Sequence, residues 1–234
     1  MSSYAETMKR SSARLLLLAI LAFCAVSFGA ASKPHVISYG KTMNVKLFLG
    51  PTEDHTAPLV VRPLFVDGKL KEFTTGDAHD VTDRMFVIRR AFRVNNNLPD
   101  EDGSHKLPNW MWQKGGWLLV DRTTARISQV SLPVFDPFYS HAAWFRDYVA
   151  YCGLSDDQNH LFAVVAQLGS KKPLLKKEIG APSGDDDPEA DCTAPTWEKQ
   201  PTKVTFHPKK GEATSFTVFG RAADVAPESM EEDQ

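Results

Sequence analysis

The sequence predicts an all-β domain: an antiparallel meander, a sandwich or a partial propeller-like array of about ten to twelve short strands. Three observations predict it. Apolar residues recur with a period of two, in runs rich in Val, Ile and Phe. Turn formers punctuate the chain at short intervals, with 14 Gly and 15 Pro in 234 residues, which leaves little room for long helices. No segment carries a long apolar stripe at helical spacing with a cap at each end. The nearest helical rival is the set Ala142, Phe145, Val149 and Cys152, whose spacing would suit one helix face.

The elements follow in order. "APLVVRPLFVDGKLKEF" sets Asp67-Gly68 between two apolar runs, the strongest short-range hairpin signal. "RMFVIRRAFRVN" alternates Phe86, Ile88, Phe92 and Val94 on one face with Arg89 and Arg93 on the other. Its density of Val and Ile favours a strand. "GGWLLVDRTTARISQVSLP" reads as a strand, a turn containing Asp and a second strand, and "TKVTFHPKKGEATSFTVFGR" repeats that pattern around Gly211. Two segments fall outside the pattern. "NNNLPDEDGSHKLPN" (95–109) is polar and broken by Pro, as expected of an exposed excursion. "GAPSGDDDPEADCTAPT" (180–196) is acidic and Pro-rich, a composition that stays disordered unless something holds it.

The first 32 residues read as a secretory signal peptide rather than as fold. Lys9, Arg10 and Arg14 precede an uncharged apolar run from Leu15 to Ala31, which ends in small residues. About 17 apolar residues is the lower limit for a membrane span, so contact with a membrane is expected only if this segment is retained. The expected location is secreted or periplasmic. Residues 33–225 are then one all-β domain, with a possible division into lobes 33–132 and 133–225, and 226–234 form a disordered tail. The balance of 27 basic and 29 acidic residues gives no basic field, so no nucleic-acid partner is expected.

Export changes what the cysteines mean. Of the three, Cys24 lies in the signal segment, leaving Cys152 and Cys192. An isolated pair in an oxidising compartment is expected to bridge, and the bridge would tack the acidic segment onto the strand "YVAYCG". The other reading of Cys152 is a thiol nucleophile with His141 or His160 as base. That needs a thiolate stabilised by a nearby cation or helix N-terminus, and the surrounding segment reads as a strand.

The stretch from Ser140 to Gly169 resembles a blade of TolB-like and WD40-like β-propellers. The resemblance rests on Ala143-Trp144, the turn Phe145-Arg146-Asp147, "YVAYCG", the turn Ser155-Asp156-Asp157 and "HLFAVVAQLG". The turn lacks the Pro-Asp-Gly run of those families, and only this one unit is complete. The chain as a whole resembles exported bacterial proteins, a similarity that implies no activity.

Four groups could carry chemistry. In "TTGDAHDVTDR", Asp77, His79, Asp80 and Asp83 could ligate a metal or supply a general base, although the spacing matches no metal motif. The structural reading is a loop between two strands, with Asp side chains bonding nearby amides. "GDDDPEAD" has oxygens enough for calcium but not the spacing of a calcium loop. Lys171, Lys172, Lys176 and Lys177 read as a solvated strand edge. Trp110, Trp112 and Trp117 could form a platform for a sugar or a peptide, with Trp110 the most exposed. No cofactor is expected, since no Gly-rich phosphate loop, Gly-x-Ser-x-Gly or His-Glu-x-x-His is present. The sequence therefore points to an exported, non-catalytic domain that binds a protein or glycan at its surface. The rival is a hydrolase or metal-dependent enzyme centred on Asp77, His79, Asp80 and Asp83.

Overall fold

Fifteen strands and no helix occur among the described residues of the computed structural model, which are 34–49, 56–95, 109–182, 191–218 and the backbone of 225–227. Residues 1–32, which the sequence reads as a signal peptide, most of the excursion at 95–109, Ser183 with the run "GDDDPEA" that follows it, and residues 228–234 lie outside them. The described residues from His35 onward cluster as one compact unit.

The first sheet takes β1 (Ile37–Tyr39), β2 (Met43–Phe48), β3 (Thr56–Val66), β4 (Lys69–Asp80), β5 (Met85–Asn95), β6 (Trp110–Asp121) and β7 (Ile127–Val130). The second takes β8 (Ala143–Phe145), β9 (Tyr148–Leu154), β10 (Leu161–Gln167) and β11 (Leu175–Gly180). The third takes β12 (Cys192–Lys199), β13 (Thr202–Pro208), β14 (Thr214–Val218) and β15 (Val225–Pro227). The last two are four-stranded antiparallel meanders, a strand order that a blade requires and that many other sheets share. The strands outnumber the ten to twelve expected, and β3 to β6 are 11 or 12 residues long rather than short.

The first sheet closes on itself. Antiparallel pairs run β2–β3–β4–β5–β6, and a single parallel bridge, Leu47 with Trp112, joins β6 back to β2. Such a ring of five leaves β1 and β7 as flanking strands. Turn chemistry starts it. Asp67 and Gly68 both hold positive φ (50° and 73°), as the β3–β4 hairpin demands. Asp67 also accepts hydrogen bonds from the Val36 amide (2.9 Å) and the His35 ring (2.8 Å), so the turn ties down the chain before β1. Side chains from all five ring strands meet inside: Leu47, Leu59, Val61, Phe73, Ala91 and Trp112. The opposite face of the same strands buries Leu64, Phe86, Ile88, Leu118 and Val120. Each such side chain contributes roughly 1.5–3 kcal/mol when fully buried. The alternation read in "RMFVIRRAFRVN" is present, but both faces are covered, since Val87 and Ala91 on the arginine face are also buried.

Bulges explain why the long strands read as shorter ones. The β5–β6 register slips between Arg89 and Ala91, where β6 carries Gly115-Gly116. A Cβ on Gly115 would sit 3.2 Å from the Arg90 Cβ, so glycine fits the extra residue there. The β4–β5 register slips between Thr75 and His79, around Gly76 at φ 69°.

The second and third sheets pack face to face. Tyr148, Ala150, Cys152, Ala163 and Val165 from one meet Cys192, Val204, Phe206, Phe216 and Val218 from the other. The Cys152–Cys192 disulfide crosses this core with Cα atoms 6.2 Å apart. Trp197 Nε1 donates to the Ala143 carbonyl (3.0 Å) and its ring stacks on Phe145 at 5.5 Å. The other face of β9, with Val149 and Tyr151, is covered by Leu132, Val134, Phe135 and Trp144. The strand β9 is thus buried on both sides, which is why "YVAYCG" reads as an unbroken apolar run. The helical spacing of Ala142, Phe145, Val149 and Cys152 has no structural counterpart: Val149 and Cys152 lie on opposite faces of β9.

Candidate functional site

The strand β6 sets the three tryptophans on one face, with the glycine bulge restoring the phase between Trp112 and Trp117. Their surroundings differ. Trp110 is 55% exposed, the largest exposed ring among the described residues. Trp112 is half-buried, its ring meeting Phe73 edge-on at 5.1 Å within the barrel core. Trp117 is buried beneath Trp144, with ring centroids 5.3 Å apart. The structure thus brings Trp110 and Trp112 to one surface and removes Trp117 from it. The register shows why: Trp117 pairs with Val130 and Arg89 in the middle of the sheet, whereas Trp110 pairs with Asn95 at its end.

One residue of this surface was not singled out in the sequence. Arg93 sits opposite Trp112 in the β5–β6 register, and its guanidinium carbon lies 5.7 Å from the Trp110 ring centre and 5.5 Å from that of Trp112. Alternation put Arg93 on a polar face of β5. Only the register shows that this face meets the indoles. A guanidinium over two ring faces fixes both rings and keeps a charged donor beside an apolar surface. The result is a ladder at the barrel end, suited to stacking on a planar or sugar face and donating hydrogen bonds at its rim.

The acidic-histidine group takes another form. "TTGDAHD" is not a loop: β4 runs through to Asp80, and the turn is confined to 81–84. Thr74 and Thr75 are buried because their hydroxyls donate to the carbonyls of Arg62 (3.1 Å) and Val60 (2.8 Å). The four candidate side chains have separate surroundings. His79 Nε2 lies 2.9 Å from the Arg146 carbonyl and its ring stacks on Trp144 at 6.0 Å. Because a carbonyl only accepts, this nitrogen carries the proton. Asp80 pairs with Arg122 at 2.6 Å, and Asp77 stands in solvent 4.0 Å from Arg62. At Asp83 the backbone carbonyl receives Arg122 at 3.4 Å. Among the described residues no three His, Cys, Asp or Glu side chains are placed to hold a metal ion.

Cys152 is in the disulfide, so its sulphur has no thiolate to offer. His160 is occupied by Glu178 at 2.9 Å, and that carboxylate raises the imidazole pKa above its ordinary value. The β6–β7 turn is braced by Asp121, which takes a bidentate pair from Arg84 (2.9 and 3.2 Å) and accepts the amides of Thr123 and Thr124. These contacts, the arginine's first, hold the Asp121 carboxyl far below the usual range. Of the four lysines, Lys176 and Lys177 are exposed on β11, which among the described residues pairs with β10 alone, while Lys171 and Lys172 lie in the preceding turn.

No protein-family model and no curated protein matches the chain. The functional reading therefore rests on its own geometry.

Proposed function

We propose that the chain is an exported, non-catalytic β-domain that works by surface contact with a protein or glycan, gripping it through Trp110, Arg93 and Trp112. The observation that carries this reading is the Trp110 indole, 55% exposed at the end of the ring and ordered by Arg93. Leaving so large an apolar ring in water forgoes burial that the same residue would gain in an interface, where tryptophan and arginine are the usual anchors. Export rests on the leader-like segment and is supported by the disulfide, which persists in oxidising compartments.

Two probes test the reading. A photo-cross-linking amino acid at position 110 captures a protein partner in cells, and tryptophan fluorescence titrated with soluble oligosaccharides detects a glycan. Trp110→Ala or Arg93→Ala is expected to weaken the binding found at least tenfold, while His79→Ala and Asp80→Ala leave it unchanged. If the latter pair abolished function while Trp110→Ala did not, the enzyme reading would replace this one.

A further inference from the structure

A second recognition feature lies away from the aromatic ladder. Among the described residues β7 pairs with β6 alone, so its other edge is open. A groove of about 590 Å³ runs beside it, and residues 128–131 all line it in succession. Successive residues of a strand point to opposite faces, so a groove that touches three in a row, Ser128 to Val130, and continues along the chain at Ser131 follows the strand's edge. There the N–H and C=O groups of alternate residues point outward. The apolar lining is Met85 of β5, Leu119 of β6 and Leu132, and the far wall is Gln167 to Lys171, the end of β10 and the first part of the β10–β11 turn. Lys171 is the charged residue among those lining the groove, and no carboxylate lines it.

We propose that this groove docks an extended peptide segment that adds to the first sheet beside β7, with apolar side chains at alternate positions and a neutral-to-acidic charge. Each part of that description answers a feature of the site. The outward backbone groups match another strand, as in β-strand addition. The apolar lining takes every second side chain, and Lys171 favours an acidic neighbour over a basic one. A small apolar ligand would cover that lining but leave the strand edge unused. A second copy of β7 would bring a second Lys171 to the groove and no carboxylate.

The test is a selection of random linear decapeptides displayed on phage against the full chain, followed by anisotropy measurements on the enriched sequences. Expected are peptides with alternating apolar residues and Asp or Glu. Hydrogen exchange at the β7 amides that face the groove should slow at least tenfold in the complex. Ser131→Trp, a plug at an exposed position, should weaken binding at least tenfold. Lys171→Glu, in an exposed turn, should switch the enriched peptides from acidic to basic, an outcome that no folding defect imitates. The proposal is overturned if the enriched peptides lose affinity on Trp110→Ala but not on Ser131→Trp. It is also overturned if β7 exchange is unchanged in the complex, or if the chain dimerises through β7.

Discussion

The indole of Trp144 meets that of Trp117 edge-on, with centroids 5.3 Å apart, and so joins the second sheet to the first. His79 stacks on Trp144 as well, with ring centroids 6.0 Å apart. Replacing Trp144 with Ala is expected to cost about 3 kcal/mol, the lower end for a large aromatic in a core, because the ring is only partly covered. Trp144→Phe should cost less than half of that. The midpoints of urea unfolding at constant m-value read the difference.

The disulfide closes a loop of 40 residues between Cys152 and Cys192, which on the chain-entropy model is worth about 4 kcal/mol. The double variant Cys152→Ala/Cys192→Ala should lose up to that amount in denaturant unfolding. A thiol assay on the denatured, unreduced chain should find no reactive sulphur from this pair. Two reactive groups from positions 152 and 192 would instead revive the nucleophile reading of Cys152.

Gly153 is a packing requirement. A Cβ there would lie 2.5 Å from the Val134 carbonyl oxygen and 2.8 Å from a Val134 methyl, closer than real contacts allow. Gly153→Ala should therefore destabilise by about 1–3 kcal/mol through forced backbone displacement. Gly116→Ala serves as the contrast, since its nearest neighbour is a side-chain nitrogen at 3.6 Å. A comparison of the two thermal midpoints decides the point.

The His160–Glu178 pair makes stability depend on pH with a definite sign. The folded imidazole titrates above 6.5, raised by the Glu178 hydrogen bond and charge. Its contribution is fully present below pH 6.5 and is lost as pH rises through the folded value. Imidazole titration by NMR should show the elevated value, and Glu178→Gln should bring it back toward 6.5. An unchanged titration in that variant would remove the pair from the account.

Some of this was legible in the chain because it is set locally. Asp67-Gly68 announces a hairpin since few residue pairs tolerate positive φ at both turn positions. The disulfide was legible because the pair stands alone once Cys24 is set aside. Other features are non-local. Trp110 is legible as the exposed ring because it follows a polar Pro-Asn segment, but nothing near Trp117 in the sequence marks it as the ring that Trp144 and β7 bury. The threonines at 74 and 75 read as loop residues, yet they are buried strand positions once their hydroxyls find the carbonyls of β3. Closure of the first sheet was invisible, because nothing near Leu47 marks Trp112 as its partner.

That closure has a mechanical side. Six register pairs hold β2 to β3, while one bridge fastens β2 to β6. The cylinder therefore has a seam, and thermal opening starts at the sparsest stitching. Trp112 is itself one end of that stitch. Under the proposed reading, a partner seated on the neighbouring indole would pull on the barrel where it yields most easily, so recognition and loosening of the cylinder would share a single residue.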